Sequence, residues 1–218
     1  MKQNSFISVI LTVACSLMFV ACSDWTEPTP VDYNPIFPDE QAPSLHEKYE
    51  QSLKEYKNRK HTLMLICFAN NPGTTLGEQD FLRSLPDSVD FVVLTNADNL
   101  SVYDKEDISK LKRTGTKFLY YKNLSEFYDQ CEETENLEEF KTKMNAALKN
   151  GESDEFDGYY VQFGRAGSMM HVDFFNEVTT AIREKLAAIG GPKANNGKLV
   201  FFDGIVTFTV DYSGRYEE

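Results

Sequence analysis

The chain is short of the residues that carry metal and nucleophile chemistry. Of its 218 residues three are histidine, four cysteine and one tryptophan. His46, His61 and His171 show neither H-x-x-x-H nor H-x-H spacing, so no metal site is expected. No Ser-His-Asp or Cys-His set can be assembled from the sequence. Basic residues are also scarce, 22 Lys and Arg against 34 Asp and Glu, for a formal net charge of -12. Such a chain repels phosphate backbones, which argues against a nucleic-acid partner. Anionic lipid repels it as well, so membrane contact needs an anchor. The turn after the first apolar run, Asn70 to Gly77, has neither G-x-G-x-x-G nor a G-K-[ST] ending. That removes the usual phosphate cradle, and no cofactor is expected. No internal repeat is visible.

The first residues supply an anchor. Lys2 gives a small basic region, and Phe6 to Ala21 is apolar apart from Ser8, Thr12 and Ser16. This reads as a secretory signal over residues 1–21. It ends at Phe19-Val20-Ala21-Cys22, which resembles a bacterial lipobox with Cys22 as the lipidated residue. Cys15 is a rival, but polar sequence begins only after Cys22. Ser23 to Ser44 holds five of the eight prolines, which neither pack nor form ladders, so residues 22–44 read as an extended tether. Asp24 and Glu27 resemble the surface-export signal of Bacteroidetes lipoproteins, so display at the outer membrane or cell surface is expected. Residues 45–218 form the folded part. Cys67, in an apolar run, is expected to be a buried free thiol, with a Cys67–Cys131 bridge as the alternative.

In the folded part, apolar runs alternate with helical patterns. His46 to Lys57 carries Tyr49, Leu53 and Tyr56 at helical spacing. Thr62 to Ala69 is a continuous apolar run and reads as a fully buried strand. A short helix over Glu78 to Leu85 precedes a second strand, Val89 to Thr95. A helix over Lys105 to Arg113 precedes a third, Lys117 to Tyr121. One or two helices fill Leu124 to Lys149, with Leu137, Phe140, Met144, Ala147 and Leu148 on one face. Phe156 to Phe163 is a fourth strand. Asp173 reads as the N-cap of a helix whose apolar face is Phe174, Val178, Ile182, Leu186 and Ile189. Lys198 to Phe202 is a fifth strand, and Asp203-Gly204 reads as a turn. Ile205 to Val210 is a sixth strand or an antiparallel return. Apolar strands with helices between them indicate an α/β fold with a parallel sheet. A (β/α) barrel and an open doubly wound sheet both fit that pattern.

The fourth strand and its surroundings resemble glycoside hydrolase family 18, in its Bacteroidetes lipoprotein branch of endo-β-N-acetylglucosaminidases and chitinases. Four stretches carry the resemblance: Tyr49 to Tyr56, Leu85 to Phe91 (LPDSVDF), Gly115-Thr116-Lys117 and Phe156-Asp157-Gly158. The Ser23-Asp24-Trp25 start after Cys22 fits as well. The resemblance implies an incomplete TIM-like barrel of about five or six βα units. It implies a partner containing N-acetylglucosamine, and substrate-assisted hydrolysis driven by a D-G-x-D-x-D-x-E strand. In this chain only Asp157-Gly158 survives of that motif. The other three acidic positions are Tyr160, Gln162 and Gly164.

Alternate residues of a strand share a face, so Tyr160, Gln162 and Gly164 stand where the family's carboxyls would line the barrel mouth. Gln162 can donate a hydrogen bond but cannot serve as a general acid, a function typically worth about 10²–10⁴-fold. No catalytic residue is therefore expected, and Tyr160 and Gln162 are the expected substrate contacts. Asp157, Asp154, Glu155, Asp173 and Glu177 read as structural or surface carboxylates. The family's sugar-flooring Trp has no counterpart, since Trp25 lies in the tether. A barrel of this type needs about 250 residues, so the sequence reads either as a fragment or truncated paralogue or as a sheet settled into an open form with an exposed edge. An exposed sheet edge would then favour self-association.

Overall fold

The structure, a computed structural model, describes residues 43–71, 73, 74, 77–165 and 170–204. The signal segment, Cys22, the tether as far as residue 42 and the stretch Ile205 to Val210 lie outside the described residues.

The elements run α1 (Pro43–Asn58), β1 (Leu65–Phe68), β2 (Phe91–Leu94), α2 (Val102–Arg113), β3 (Lys117–Asn123), α3 (Ser125–Cys131), α4 (Leu137–Lys149), β4 (Gly158–Phe163), α5 (Val172–Ile189), α6 (Gly191–Ala194) and β5 (Leu199–Gly204). Between β1 and β2 the single expected helix is two 3₁₀ turns, Glu78–Asp80 and Leu82–Ser84. Among the described residues no helix is long and apolar enough to cross a membrane.

All five strands are parallel and stand in chain order, β1-β2-β3-β4-β5. A doubly wound sheet reverses its strand order at a switch point, whereas a barrel adds each strand on the same side. The order therefore rules out the doubly wound alternative and gives an α/β part-barrel. The sheet curls accordingly. The rings of Phe91 on β2 and Phe201 on β5 lie 5.1 Å apart although two strands separate them.

The two faces of the sheet differ in burial. On the helix side, Val92, Leu94, Phe118, Tyr120, Tyr159, Val161 and Phe163 are buried against the helices. Facing them are Ile108 and Leu111 of α2, Phe140, Met144 and Leu148 of α4, and Phe174, Val178, Ile182 and Leu186 of α5. The apolar faces expected for the later helices thus point into this core. The other face is concave and, on β4 and β5, only half-covered: Tyr160, Gln162 and Phe201 are partly exposed.

Local chemistry sets the helix starts. Ser101 Oγ accepts from the Asp104 N–H (3.0 Å), and Asp104 Oδ2 accepts from the Ser101 N–H (2.8 Å). This capping box starts α2 three residues before the sequence pattern suggested. Asn136 caps α4 through the Glu139 N–H (3.1 Å). For α5 the expected cap is displaced. The His171 carbonyl already accepts the Phe175 N–H at 2.9 Å, so Asp173 lies inside the first turn. There its charge still opposes the positive helix end.

Three further expectations are corrected. β1 is an edge strand in which only Phe68 is buried, while Leu63, Met64 and Leu65 are exposed. A continuous apolar run implies two covered faces, and here the second cover is absent among the described residues. Cys67 follows suit: it is free and exposed, and the buried free thiol is Cys131. Lastly, Asp203 and Gly204 are the final residues of β5 rather than a turn.

Candidate functional site

Parallel strands of a barrel present their chemistry at their C-terminal ends. Register places the relevant side chains on the concave face. Tyr160 stands between Tyr121 and Phe201, and Gln162 stands between Asn123 and Asp203. Tyr160 and Gln162 therefore lie on one face of β4.

Their hydrogen bonds form a relay across three strands. The Tyr121 hydroxyl donates to Gln162 Oε1 at 2.7 Å. Gln162 Nε2 donates to Asp203 Oδ2 at 3.1 Å. The Tyr160 ring lies 6.2 Å from that of Tyr121 on the same face. Burial, and then the Asp203 charge, push both phenols above their ordinary pKa, so both remain donors. The relay fixes the orientation of the Gln162 amide, carbonyl toward β3 and NH₂ toward β5.

Gly164 follows β4 directly. Its N–H donates to Ser125 Oγ at 3.1 Å, and a Cβ built there would meet nothing within 4 Å. The position that holds the acid in the resembled motif is thus open space. Next to it, Arg165 pairs with Asp129 of α3.

Asp157 is at the opposite end of β4. Its Oδ2 accepts the Phe118 N–H at 2.9 Å and lies 3.4 Å from Lys112 Nζ. Seven residues of strand separate it from Gly164, about 23 Å at the usual rise. It serves to join β3 to β4 at the base. Asp154 and Glu155 lie in the same basal loop, where Lys112 Nζ donates to the Asp154 carbonyl (2.8 Å). Asp173 and Glu177 lie on α5, apart from the relay.

Asp203 is the member of the relay that sequence reasoning missed. The Asp-Gly pair at 203–204 is a strong turn signal, and it masked the strand. The clue was the alternation of Phe201 and Asp203, which copies that of Tyr160 and Gln162 one strand earlier. Among the described residues there is no group of three His, Cys, Asp or Glu that could hold a metal ion.

A curled sheet of sequential parallel strands, with polar side chains gathered at the strand ends, defines a protein of the (β/α)-barrel class. The model of glycoside hydrolase family 18, BT1044-like, matches residues 26–183, and the chain belongs to that family. Solved structures agree on the fold. The apo endo-β-N-acetylglucosaminidase of Cordyceps militaris superposes with a TM-score of 0.55 at 17% identity, over 72% of this chain and 54% of that one. A BT1044 structure with a Glu-to-Gln substitution gives 0.51 at 21% identity, over 77% and 58%. A doubly substituted form of the Cordyceps militaris enzyme, in complex with fucosyl-N-acetylglucosamine-Asn, gives 0.52 at 18% identity, over 71% and 53%. The chain thus spans little more than half the length of each. No curated protein matches it.

Proposed function

We propose that this chain is a glycan-holding member of family 18 that does not hydrolyse its ligand, displayed at the cell surface through a lipid on Cys22. One observation carries the reading. At the strand ends the described chain presents Tyr121, Tyr160, Gln162 and Asp203 as hydrogen-bonding groups around an empty position at Gly164. Such a set can hold hydroxyl and amide groups of a sugar. It offers no proton donor of suitable acidity over the site of bond cleavage. The ligand class is N-acetylglucosamine-containing glycan. The support is family membership, together with the fucosyl-N-acetylglucosamine-Asn complex of the Cordyceps militaris relative.

Titration with a chitooligosaccharide tests this. The expected result is saturable binding in the millimolar range, about −4 kcal/mol, with perturbation at Tyr160 and Gln162 and no cleavage. Absence of saturable binding would refute it. A second reading, a divergent hydrolase with residual activity, is favoured by the Asp203 carboxylate beside Gln162. Cleavage by the unaltered chain that is lost in Asp203→Asn would establish that reading instead. Anchoring is tested by Cys22→Ser, which should leave the membrane fraction. The open outer edge of β1 among the described residues is the surface for self-association.

A further inference from the structure

The link between the Pro-rich segment and the sheet is α1, and it is lightly held. From Glu47 to Asn58 the helix has no buried residue; Glu50, Leu53 and Lys57 are half-buried. Several polar contacts fix it. The Tyr49 hydroxyl donates to Asp87 at 2.7 Å, and Arg113 lies 3.6 Å from Glu50. Lys57 Nζ donates to Thr116 Oγ1 at 2.7 Å, and Thr116 in turn donates to the Val89 carbonyl at 3.1 Å.

His61 closes the arrangement just beyond the helix. Its Nδ1 is 2.7 Å from the Arg59 carbonyl, and its Nε2 is 2.9 Å from Asp90 Oδ1. Asp90 is buried and its Oδ2 accepts the Met64 N–H at 2.8 Å. The Tyr56 ring lies 4.5 Å from the imidazole. Both imidazole nitrogens therefore face acceptors, one on the turn leaving α1 and one at the entrance to β2. Neutral imidazole has a single N–H, so only the imidazolium donates to both.

We propose that His61 is a pH-operated latch that docks α1 on the base of the sheet while protonated and releases it when the proton is lost. Release breaks either the bond to the Arg59 carbonyl or the bond to Asp90. It leaves a helix held by the Tyr49–Asp87 and Arg113–Glu50 contacts, which are open to solvent, and by the part-buried Lys57–Thr116 bond. The groups facing the imidazole are Asp90, at the entrance to β2, and Lys57 and Tyr56 of α1. The Arg59 carbonyl, then Asp90, hold the His61 pKa above its ordinary 6.5. The latch is thus fully set below that value and is lost as pH rises through the higher folded-state value. Burial lowers the Lys57 pKa, which has the opposite sign: its contribution grows with pH toward 10.5. Loss of α1 docking at mildly alkaline pH is therefore assigned to His61.

Amide exchange on the 218-residue chain, corrected for the intrinsic pH dependence, tests the latch. Protection over 47–60 should fall between about pH 5.5 and about pH 8.5, by about tenfold for each unit by which the folded-state pKa exceeds the unfolded one. Protection over α4 should hold steady. In His61→Gln, α1 should be weakly protected at both pH values. An NMR titration of His61 in the unaltered chain supplies a second measure, whose midpoint should coincide with α1 release. Equal α1 protection at both pH values overturns the latch. So does parallel loss over α4, pH dependence that survives in His61→Gln, or a His61 midpoint below the ordinary value.

Discussion

The rings of Phe91 and Phe201 meet at 5.1 Å across the concave face, with β3 and β4 lying between their strands. In a flat sheet, strands three positions apart are about 14 Å from one another, too far for their rings to touch. The pair therefore both reports the curl and helps to hold it, by covering apolar area that the helices cannot reach.

Phe201→Ala should destabilise the domain by about 1–2 kcal/mol, less than the loss of a fully buried Phe because both rings are half-exposed. A urea titration would show a lower midpoint. An unchanged midpoint would mean that the curl is set by the helix-side core alone.

Two glycines of the fourth-strand motif should respond in opposite ways. A Cβ on Gly158 would lie 2.2 Å from the Leu199 carbonyl oxygen, which is backbone and cannot yield without parting β4 from β5. Gly158→Ala should cost about 3 kcal/mol or more. Gly164→Ala meets nothing within 4 Å and should leave the thermal midpoint unchanged. Equal midpoints for the two variants would contradict the close β4–β5 approach.

The same contrast shows what could be read in the sequence. Apolar runs and helix faces gave the parallel α/β order, because Phe140, Met144 and Leu148 or Phe174, Val178 and Ile182 carry their burial in their spacing. Position in the sheet was not legible. Leu63, Met64 and Leu65 look like core, yet are exposed because β1 is the edge strand. That Tyr160 and Gln162 share one face of β4 was legible from strand alternation. Asp203 was hidden by its turn-like Asp-Gly pair, and the Tyr121–Gln162–Asp203 relay is a cross-strand property that no single segment displays.

Asp98 should govern part of the acid response. Its partial burial works against ionisation, but Asn150 (2.9 Å), Lys122 (2.8 Å) and the Tyr120 hydroxyl (2.5 Å) donate to it and hold its pKa below 3.8. A carboxylate depressed in the folded state stabilises above its unfolded pKa and loses that contribution as pH falls through the folded value. The thermal midpoint should therefore drop on acidification below about pH 4, and Asp98→Asn should flatten that limb. An identical limb in the variant would remove Asp98 from the account.

The two thiols of the folded part should react very differently. Cys67 is exposed on the concave face, whereas Cys131 is fully buried and burial pushes its pKa up. Only thiolate alkylates at an appreciable rate. Iodoacetamide followed by peptide mass mapping should modify Cys67 in the native protein and Cys131 only in denaturant. Native labelling of Cys131 would show that the α3–α4 region opens readily.

Restoring carboxyls to the fourth strand should not restore hydrolysis. A Cβ at Gly164 meets nothing within 4 Å, so the backbone there does not forbid a side chain. Adding Tyr160→Asp and Gln162→Asp to Gly164→Glu, however, removes the amide that links Tyr121 to Asp203 and sets new negative charges beside that carboxylate. Four carboxyls at one mouth, the three new ones and Asp203, raise one another's pKa and repel, so the acid and the stabilising carboxylate would not hold distinct protonation states. Catalytic groups that act as a unit are non-additive, and effective positioning is worth more than any one of them. The triple variant should bind a chitooligosaccharide no better than the parent chain, melt at a lower temperature and release no product in a reducing-end assay. Turnover that disappears when Glu is changed back to Gly at 164 would show the reverse: a competent scaffold that had lost only its acid.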